Sequence, residues 1–384
     1  MKILLASTSS GSRGGGELCL LYLGRALRER GHEMTLWMSD DPKMNELAAG
    51  FAEIGPVIRA EYTNTYDRSA RSLASWADLL TAAKVARQWR DLAPDVIHLN
   101  KQCLEDGLDL LRAARCSGRP ALAMIHITQT AAYLRAHHAG LRDCVSRLAL
   151  RRFPGLIATT PESRRRDLAA FLGDSPRLRV VPNGVPIYEP AQLAAWRDAT
   201  RCALGIKPGE LLCVGVGRMV AQKRPLLFLE TAAEIHRHIP EARFRWVGDG
   251  SLTADWDAWV AERKLGAVIR RLPWQNEVPR FLSAADVFMH TAEFEGLAFA
   301  ILEALAAGLP CAITPNLLGD MPFLNVQNSV AIGDDGRWID TLRDRAKLCE
   351  IGRAARRLAE KEFSFACMAA EYEALYRECA ATVR

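Results

Sequence analysis

The stretch LLCVGVGRMVAQKRPLLFLETAAEIHRHIPEARFRWVG, residues 211–248, decides the fold class of this 384-residue chain. An apolar run at 211–217 predicts a buried strand, and apolar residues at helical spacing over 224–238 predict a helix after a short turn. A second apolar run at 244–248 predicts the next strand. Two strands joined through a helix indicate a parallel sheet that is covered by helices.

The same alternation of short apolar runs and amphipathic segments occurs twice along the chain. In the first half we predict strands at 2–6, 34–38, 96–99, 122–127, 156–159 and 179–181, and helices over 17–30, 76–91, 104–115, 131–152 and 161–171. In the second half we predict further strands at 268–272, 287–291 and 310–314, and helices over 254–264, 278–285 and 298–307. The sequence therefore predicts an α/β protein with two Rossmann-like, doubly wound domains that face each other across a ligand-binding cleft.

The boundary between the two domains is predicted within VPNGVPIYEP, residues 181–190, because three prolines, an asparagine and a glycine favour an irregular linker. We expect an N-terminal domain over 1–182 and a C-terminal domain over 183–364. We expect residues 365–384 to form a last helix that packs back on the N-terminal domain.

Composition excludes several classes of protein. With 49% hydrophobic and 25% charged residues the chain is typical of a soluble globular protein. No apolar run reaches the 18 or so residues of a membrane span. The apolar start at residues 3–6 is too short for a signal peptide, so we expect a cytoplasmic protein. The ten cysteines contain no Cys-x-x-Cys pair, which favours reduced thiols over a zinc site.

Basic charge is concentrated in the first half of the chain, where residues 1–184 contain 26 Lys and Arg against 19 Asp and Glu. Seven arginines lie within 25 residues: Arg142, Arg147, Arg151, Arg152, Arg164, Arg165 and Arg166. A solvated face and a peripheral contact with an anionic membrane both explain such a run. Because no nucleic-acid-binding motif accompanies the charge, we expect no nucleic acid partner.

The first candidate motif is the loop SSGSRGGG, residues 9–16, between the first predicted strand and helix. Its glycines would let backbone amides approach a phosphate at a helix N-terminus, although a tight turn explains them equally well. The spacing differs from the dinucleotide motif G-x-G-x-x-G. Asp40 and Asp41 after the second strand could nevertheless serve as a ribose-binding acid, so a dehydrogenase is kept as an alternative function.

A second candidate motif follows the strand at 211–217. Arg218 and Lys223 lie five residues apart at the end of this strand, where an arginine and a lysine can bind a diphosphate together. A solvated basic turn is the alternative interpretation.

The third candidate motif is TAEFEGLAFAILEALAAG, residues 291–308. Glu295 precedes a predicted helix, and Glu303 lies two turns inside it among apolar residues. A buried carboxylate needs a partner, and ribose hydroxyls would supply one, unless Glu303 is simply an exposed residue of an amphipathic helix. Asp255-Trp-Asp257 opens a predicted helix, where acidic residues favour the helix dipole, so we expect no metal site there.

Residues 295–303 resemble the E-x7-E motif of the retaining glycosyltransferases of family 4, which have the GT-B fold. The resemblance covers nearly the whole chain, in the family's order: GGGELCLLYLGRALRERGHEMTLW, VPNGV, VGVGRMVAQKRPLLFLETAAEI, WVGDGS, LPWQNEVPRFLSAADVFMHTAEFEGL and EALAAGLPCAIT.

The resemblance implies a function for each motif. It implies a retaining, metal-independent hexosyltransferase without a cofactor, which uses a UDP-sugar or GDP-mannose and acts on a glycan or glycolipid in envelope polysaccharide or lipopolysaccharide synthesis. The N-terminal domain would lie on the acceptor side, and the C-terminal domain would bind the nucleotide sugar. The enzyme would be cytoplasmic, at the inner face of the membrane.

The resemblance also implies the residues of the site. The implied catalytic residues are Glu295, His126, Arg218 and Lys223. The implied donor-binding residues are Gly15, Gly16, Arg218, Lys223, Gly296, Leu297, Ala298, Phe299 and Glu303.

Two departures from the family pattern keep alternatives open. Ala298 replaces a glycine in the usual E-G-F-G-L, and Phe323 stands where a glutamate is expected. A nucleotide-sugar epimerase, a glycan phosphorylase of the same architecture and a catalytically weak sugar-nucleotide-binding subunit are the alternatives. A lone histidine on an apolar strand, such as His126, is also often a core residue.

Overall fold

The computed structural model describes residues 1–333 and 336–382. The chain divides into two compact units. The first unit comprises Met1–Gly184 together with the last helix, Phe365–Thr382. The second unit comprises Val185–Ser364.

Across residues 1–184, all of which are described, the first unit forms a seven-stranded parallel sheet. Its strands are β1 (Lys2–Ser7), β2 (Glu33–Ser39), β3 (Val57–Ala60), β4 (Val96–Cys103), β5 (Ala121–Ile127), β6 (Leu156–Thr159) and β7 (Leu178–Val180). Their order is β3-β2-β1-β4-β5-β6-β7, so the direction of winding reverses between β1 and β4. Ligands of such sheets bind at this reversal, outside the carboxyl ends of the strands.

Helices flank the first sheet. They are α1 (Gly15–Glu29), α2 (Asn45–Ala52), α3 (Ser72–Ala77), α4 (Leu79–Leu92), α5 (Leu108–Ser117), α6 (Ala139–Arg152) and α7 (Glu162–Leu172). Trp37 of β2 packs edge-on against Trp89 of α4, with ring centroids 5.3 Å apart, and both rings are fully buried. Burial of such large rings fixes α4 on the sheet.

The predicted helix over 131–152 begins eight residues late, at Ala139. His138 has a positive φ of 55°, so it interrupts a right-handed helix. The Asp143 carboxylate accepts hydrogen bonds from the amides of Ala131 and Ala132, at 2.8 and 3.1 Å. The preceding residues therefore form turns that α6 itself holds in place.

In the described part of Val185–Ser364, the second unit forms a six-stranded parallel sheet. Its strands are β8 (Leu211–Val216), β9 (Ala242–Val247), β10 (Ile269–Leu272), β11 (Val287–His290), β12 (Cys311–Ile313) and β13 (Ser329–Ala331). The flanking helices are α8 (Pro190–Ala203), α9 (Pro225–His238), α10 (Thr253–Glu262), α11 (Val278–Ala284), α12 (Phe299–Ala306), α13 (Pro315–Asp320), α14 (Arg337–Arg343) and α15 (Arg345–Glu362). The order β10-β9-β8-β11-β12-β13 reverses between β8 and β11.

The last helix, α16 (Phe365–Thr382), belongs to the first unit. Glu373 of α16 accepts two hydrogen bonds from Arg30, at 2.7 and 2.9 Å, and one from His32 at 2.8 Å. Tyr376 is fully buried and its hydroxyl lies 2.7 Å from Nδ1 of His98 in β4. Ion pairing and aromatic packing thus return the end of the chain to the first sheet.

Candidate functional site

The carboxyl ends of β8 and β11 carry the residues predicted in the second unit. Gly217 follows β8, and its carbonyl accepts a hydrogen bond from Trp246 Nε1 at 2.9 Å. At Gly248, where φ is +130°, a Cβ would lie 2.3 Å from the Gly217 oxygen. Only a glycine at position 248 allows the two backbones to lie this close. The close packing holds the loop with Arg218 and Lys223 at the edge of the sheet.

Hydrogen bonds join the loop after β8 to the loop after β11. The Glu293 amide donates to the Gln222 carbonyl at 2.8 Å, and the Gln222 side chain donates to the Phe294 carbonyl at 3.0 Å. The Thr291 hydroxyl donates to the carbonyls of Lys223 and Arg224, at 3.2 and 3.1 Å. The basic motif and the glutamate motif, far apart in sequence, therefore form one site.

Glu295 is a buried carboxylate with two hydrogen-bond donors. Lys223 Nζ donates to its Oε1, and His290 Nε2 donates to the same oxygen at 3.1 Å. The Glu295 side chain is 8% exposed and that of Lys223 is 17% exposed. Burial raises the pKa of Glu295, but Lys223 and His290 outweigh it and hold the pKa at about 2. Glu295 is therefore ionised at neutral pH.

The segment after Glu295 leads directly into α12. Gly296, Leu297 and Phe299 are buried, and Ala298 is the residue before the first turn of the helix. Ala298 has φ −66° and ψ 121°, a conformation open to any residue, so the alanine in place of the family's glycine strains nothing. Glu303 lies within α12 and is 7% exposed, which excludes the alternative of a solvated glutamate.

Arg218 lies at the same sheet edge as Lys223 and is exposed to solvent. An exposed guanidinium on the loop that also carries Lys223 is suited to an anion that approaches from solvent. The structure joins Lys223 to Glu295 before the start of α12, and it places Arg218 on the same loop as Lys223.

The first unit contains a separate group of predicted residues around Gly16. A Cβ on Gly16 would lie 2.1 Å from Nε2 of Gln102, so the Gln102 side chain packs directly against this glycine and would have to move to admit a larger residue. Asn100 Nδ2 donates to the Gly16 carbonyl at 3.0 Å, and its Oδ1 accepts from His126 Nε2 at 2.8 Å. Asn100 thus connects two predicted residues, Gly16 and His126. Gly15 is the first residue of α1.

His126 is buried, and burial lowers its pKa to about 4. The imidazole is therefore neutral near pH 7, and its hydrogen bond to Asn100 fixes the proton on Nε2. The histidine has a polar partner, as a satisfied core residue would. Its position at the end of β5 also leaves it at the carboxyl edge of the sheet.

The Asp255-Trp-Asp257 motif lies at the start of α10. Asp255 is in the first turn of α10, and Asp257 forms a two-fold ion pair with Arg271 at 2.7 Å for both contacts. Among residues 1–333 and 336–382, no group of three His, Cys, Asp or Glu side chains is arranged to hold a metal ion. Over the same residues, no helix is both long and apolar enough to cross a membrane.

Sequence reasoning missed three polar residues that hold the predicted ones: His290 beside Glu295, and Asn100 and Gln102 beside Gly16. His290 ends β11 and Asn100 lies near the end of β4. A strand-end position is the one signal in the sequence that could have identified them, because carboxyl ends of parallel strands meet at one edge.

Comparison with known proteins identifies the family. Residues 13–188 match the family described as Glycosyltransferase Family 4, and residues 210–343 match Glycosyl transferases group 1. The chain is 32% identical over 269 residues to 2-deoxystreptamine glucosyltransferase of Streptomyces kanamyceticus, covering 67% of each chain. The chain belongs to glycosyltransferase family 4.

A second relative is also a glycosyltransferase by name. The chain is 28% identical over 263 residues to UDP-Gal:alpha-D-GlcNAc-diphosphoundecaprenol alpha-1,3-galactosyltransferase of Escherichia coli, covering 67% of this chain and 66% of the relative. The chain thus spans about two thirds of the length of these relatives.

Solved structures confirm the predicted GT-B fold class. HepE of Anabaena in complex with UDP superposes with a TM-score of 0.78 at 19% identity, over 98% of this chain and 100% of that one. WaaG, a glycosyltransferase involved in lipopolysaccharide biosynthesis, gives a TM-score of 0.67 at 16% identity, over 99% of both chains.

Proposed function

We propose that this family 4 member is a retaining glycosyltransferase that moves a hexose from a nucleoside-diphosphate sugar to a hydroxyl of a glycan or glycolipid. The observation that carries the proposal is the buried ion pair of Lys223 and Glu295 before the start of α12, with Arg218 exposed on the same loop as Lys223. It combines cations for a diphosphate with a buried, ionised carboxylate for the sugar.

The donor would lie along the second unit's sheet edge. Arg218 and Lys223 would bind the diphosphate, and the amides from Gly296 to Phe299 would approach the sugar and phosphates at the start of α12. Glu303, inside α12, would accept hydrogen bonds from the ribose hydroxyls. The E. coli relative is named for UDP-Gal and the Anabaena structure contains UDP, which supports a UDP-sugar as donor.

Transfer would break the bond between the anomeric carbon and the diphosphate oxygen, which leaves with the bonding electrons. The acceptor oxygen would bond to the anomeric carbon on the same face, and its proton would pass to the departing phosphate oxygen. Arg218 and Lys223 would stabilise the charge of the leaving group, and the Glu295 carboxylate would stabilise the positive charge that develops on the sugar. These side chains would do so without a metal ion.

The first unit would supply the acceptor side. Gly16 would line the ligand at the start of α1, and His126, which is neutral and hydrogen-bonded to Asn100, would contact the donor sugar. The acceptor proposal rests on the E. coli relative, whose name specifies a diphosphoundecaprenol-linked sugar. Envelope polysaccharide or lipopolysaccharide assembly is the corresponding process.

A lipid-linked acceptor would bring the enzyme to an anionic membrane surface on the cytoplasmic side. Fewer arginines of the predicted segment are available to a membrane than the sequence suggests, because Arg142 is buried against Glu105 and Arg164 is also buried. The exposed part of α6 combines Arg151 and Arg152 with apolar side chains. Leu141 is 56% exposed and Leu148 is 37% exposed. Co-sedimentation with vesicles should therefore depend on anionic lipid and weaken when α6 is neutralised.

Ligand binding and product analysis test the proposed function. In a thermal-shift panel of UDP, GDP and ADP, one diphosphate at 100 times its Kd should stabilise the chain by about 2.7 kcal/mol. Incubation with the matching sugar nucleotide and acceptors should give a product whose NMR spectrum shows the donor's anomeric configuration. Inversion would contradict the mechanism. Release of an epimerised sugar nucleotide without acceptor would favour an epimerase.

A further inference from the structure

His290 contacts the Glu295 carboxylate but takes no part in the proposed transfer. It is the last residue of β11, a strand hydrogen-bonded between β8 and β12, and only 3% of it is exposed. Its ring stacks on Phe288 with centroids 5.6 Å apart and an interplanar angle of 26°. Its Nε2 donates to Glu295 Oε1 at 3.1 Å.

We propose that His290 is a positioning residue. It keeps the Glu295 carboxylate directed at the transferred sugar when Lys223 binds the donor diphosphate. The proposal rests on the proposed function of this site. In this proposal His290 orients the Glu295 carboxylate. The contact between Lys223 and Glu295 is replaced by a contact between Lys223 and the diphosphate when the donor binds.

The two partners of Glu295 differ in how firmly they are held. Lys223 is a flexible side chain with 17% exposure, so its ammonium can turn toward an incoming diphosphate. His290 has a short, planar side chain confined by burial and by Phe288, and its backbone is fixed in the sheet. When an anion competes for the ammonium, the imidazole remains the fixed donor to the carboxylate.

The charge state of His290 suits this role. Burial lowers its pKa, and so does Lys223, whereas Glu295 raises it; these are the charged groups that face the imidazole within the described residues. A neutral Nε2–H donor orients Glu295 and leaves its negative charge intact. A cationic partner would offset the charge that Glu295 offers to the developing positive sugar.

Two substitutions with a matched control test the positioning role by kinetics. His290→Leu keeps an apolar side chain but removes the donor, and His290→Gln restores an N–H near the position of Nε2. His238→Leu, at an exposed histidine of α9, is the control. We expect His290→Leu to lower kcat tenfold to a hundredfold with donor KM within about threefold. We expect His290→Gln to recover most of kcat and the control to match wild type.

A merely structural role would give a different pattern. In that case His290→Leu and His290→Gln would both lower the unfolding temperature and weaken UDP binding, and kcat would follow the loss of folded protein. Wild-type kcat in His290→Leu, or equal loss of kcat in both variants, would overturn the proposal.

NMR of histidine-labelled protein supplies a test that needs no turnover. We expect the pKa of the His290 imidazole to rise in Lys223→Gln and to fall in Glu295→Gln, and its Nε2–H to stay hydrogen-bonded when UDP is added. If no sugar nucleotide binds or reacts, the proposed function fails while the coupling of His290 to Glu295 is still measured. Loss of the Nε2–H hydrogen bond on UDP addition, or no response of His290 to either substitution, would contradict the positioning role.

Discussion

Replacement of Lys223 with methionine would leave the Glu295 carboxylate buried beside His290 alone. The pKa of Glu295 is about 2 instead of 4.5: burial raises it, and Lys223, followed by His290, lowers it by more. The difference between the two values corresponds to roughly 3 kcal/mol of stability at neutral pH. Since the charge of Lys223 is the largest single favourable contribution, Lys223→Met should cost about 2–3 kcal/mol.

The pH dependence of this loss has a definite sign. In wild type, the lowered pKa of Glu295 contributes stability that is complete above pH 4.5 and is lost as the pH falls toward 2. Without Lys223 the carboxylate takes up a proton more readily. The deficit of Lys223→Met relative to wild type should therefore be largest at neutral pH and shrink as the pH falls below 5.

Urea unfolding at pH 7.5 and pH 4.5 measures both effects. Lys361→Met is a suitable control in the same unit, because Lys361 is 81% exposed and its contact with Glu362 is 3.6 Å long. The control should change the free energy of unfolding little at either pH. Equal losses of unfolding free energy in Lys223→Met and Lys361→Met would contradict a stabilising contact between Lys223 and Glu295. A deficit of Lys223→Met that grows on acidification would contradict it as well.

Further substitutions and treatments test other parts of the account. Arg218→Ala should weaken diphosphate binding tenfold to a hundredfold, measured by calorimetry with UDP, and leave the unfolding temperature unchanged because the side chain is exposed. Glu303→Gln should mainly raise the donor KM in steady-state kinetics. Transfer should persist in excess EDTA; loss of activity with rescue by manganese or magnesium would contradict the proposed mechanism. Burial raises the pKa of Asp106 from 3.8 to about 6, although the charge of Lys101 lowers it. As the pH rises from 4 to 6, wild type should therefore lose stability relative to Asp106→Asn, which paired unfolding curves measure.

The sequence predicted the fold class because the central strands are nearly continuous apolar runs separated by helical patterns. The predicted strand 122–127 corresponds to β5, Ala121–Ile127, and the predicted helix 224–238 corresponds to α9. Several elements were missed, among them the strands β3 and β13 and the helices α2, α8, α13, α14 and α15. β3 is a four-residue edge strand with no fully buried side chain, and α8 likewise buries none of its residues completely. Without a buried face, neither has the periodicity on which such prediction depends.

The candidate site could be predicted in part, since the spacing of glycines, cations and glutamates reflects local geometry. Arg218 and Lys223 follow β8, and Glu295 follows β11, as expected. The contact between Lys223 and Glu295 depends on how β8 and β11 pair, which no local pattern specifies. His290 was missed for a different reason. A histidine at the end of an apolar strand is often a core residue, and its contact with Glu295, five residues later, depends on how the intervening loop folds back.

Hydrogen–deuterium exchange with and without saturating UDP tests whether the second unit binds the donor diphosphate through the loops after β8 and β11. We expect slower exchange in residues 217–224 and 295–299 of wild type when UDP is present. The effect should be lost in Arg218→Ala measured at the same UDP concentration. Protection confined to residues 9–16 of the first unit, or protection in the second unit that Arg218→Ala leaves unchanged, would contradict it.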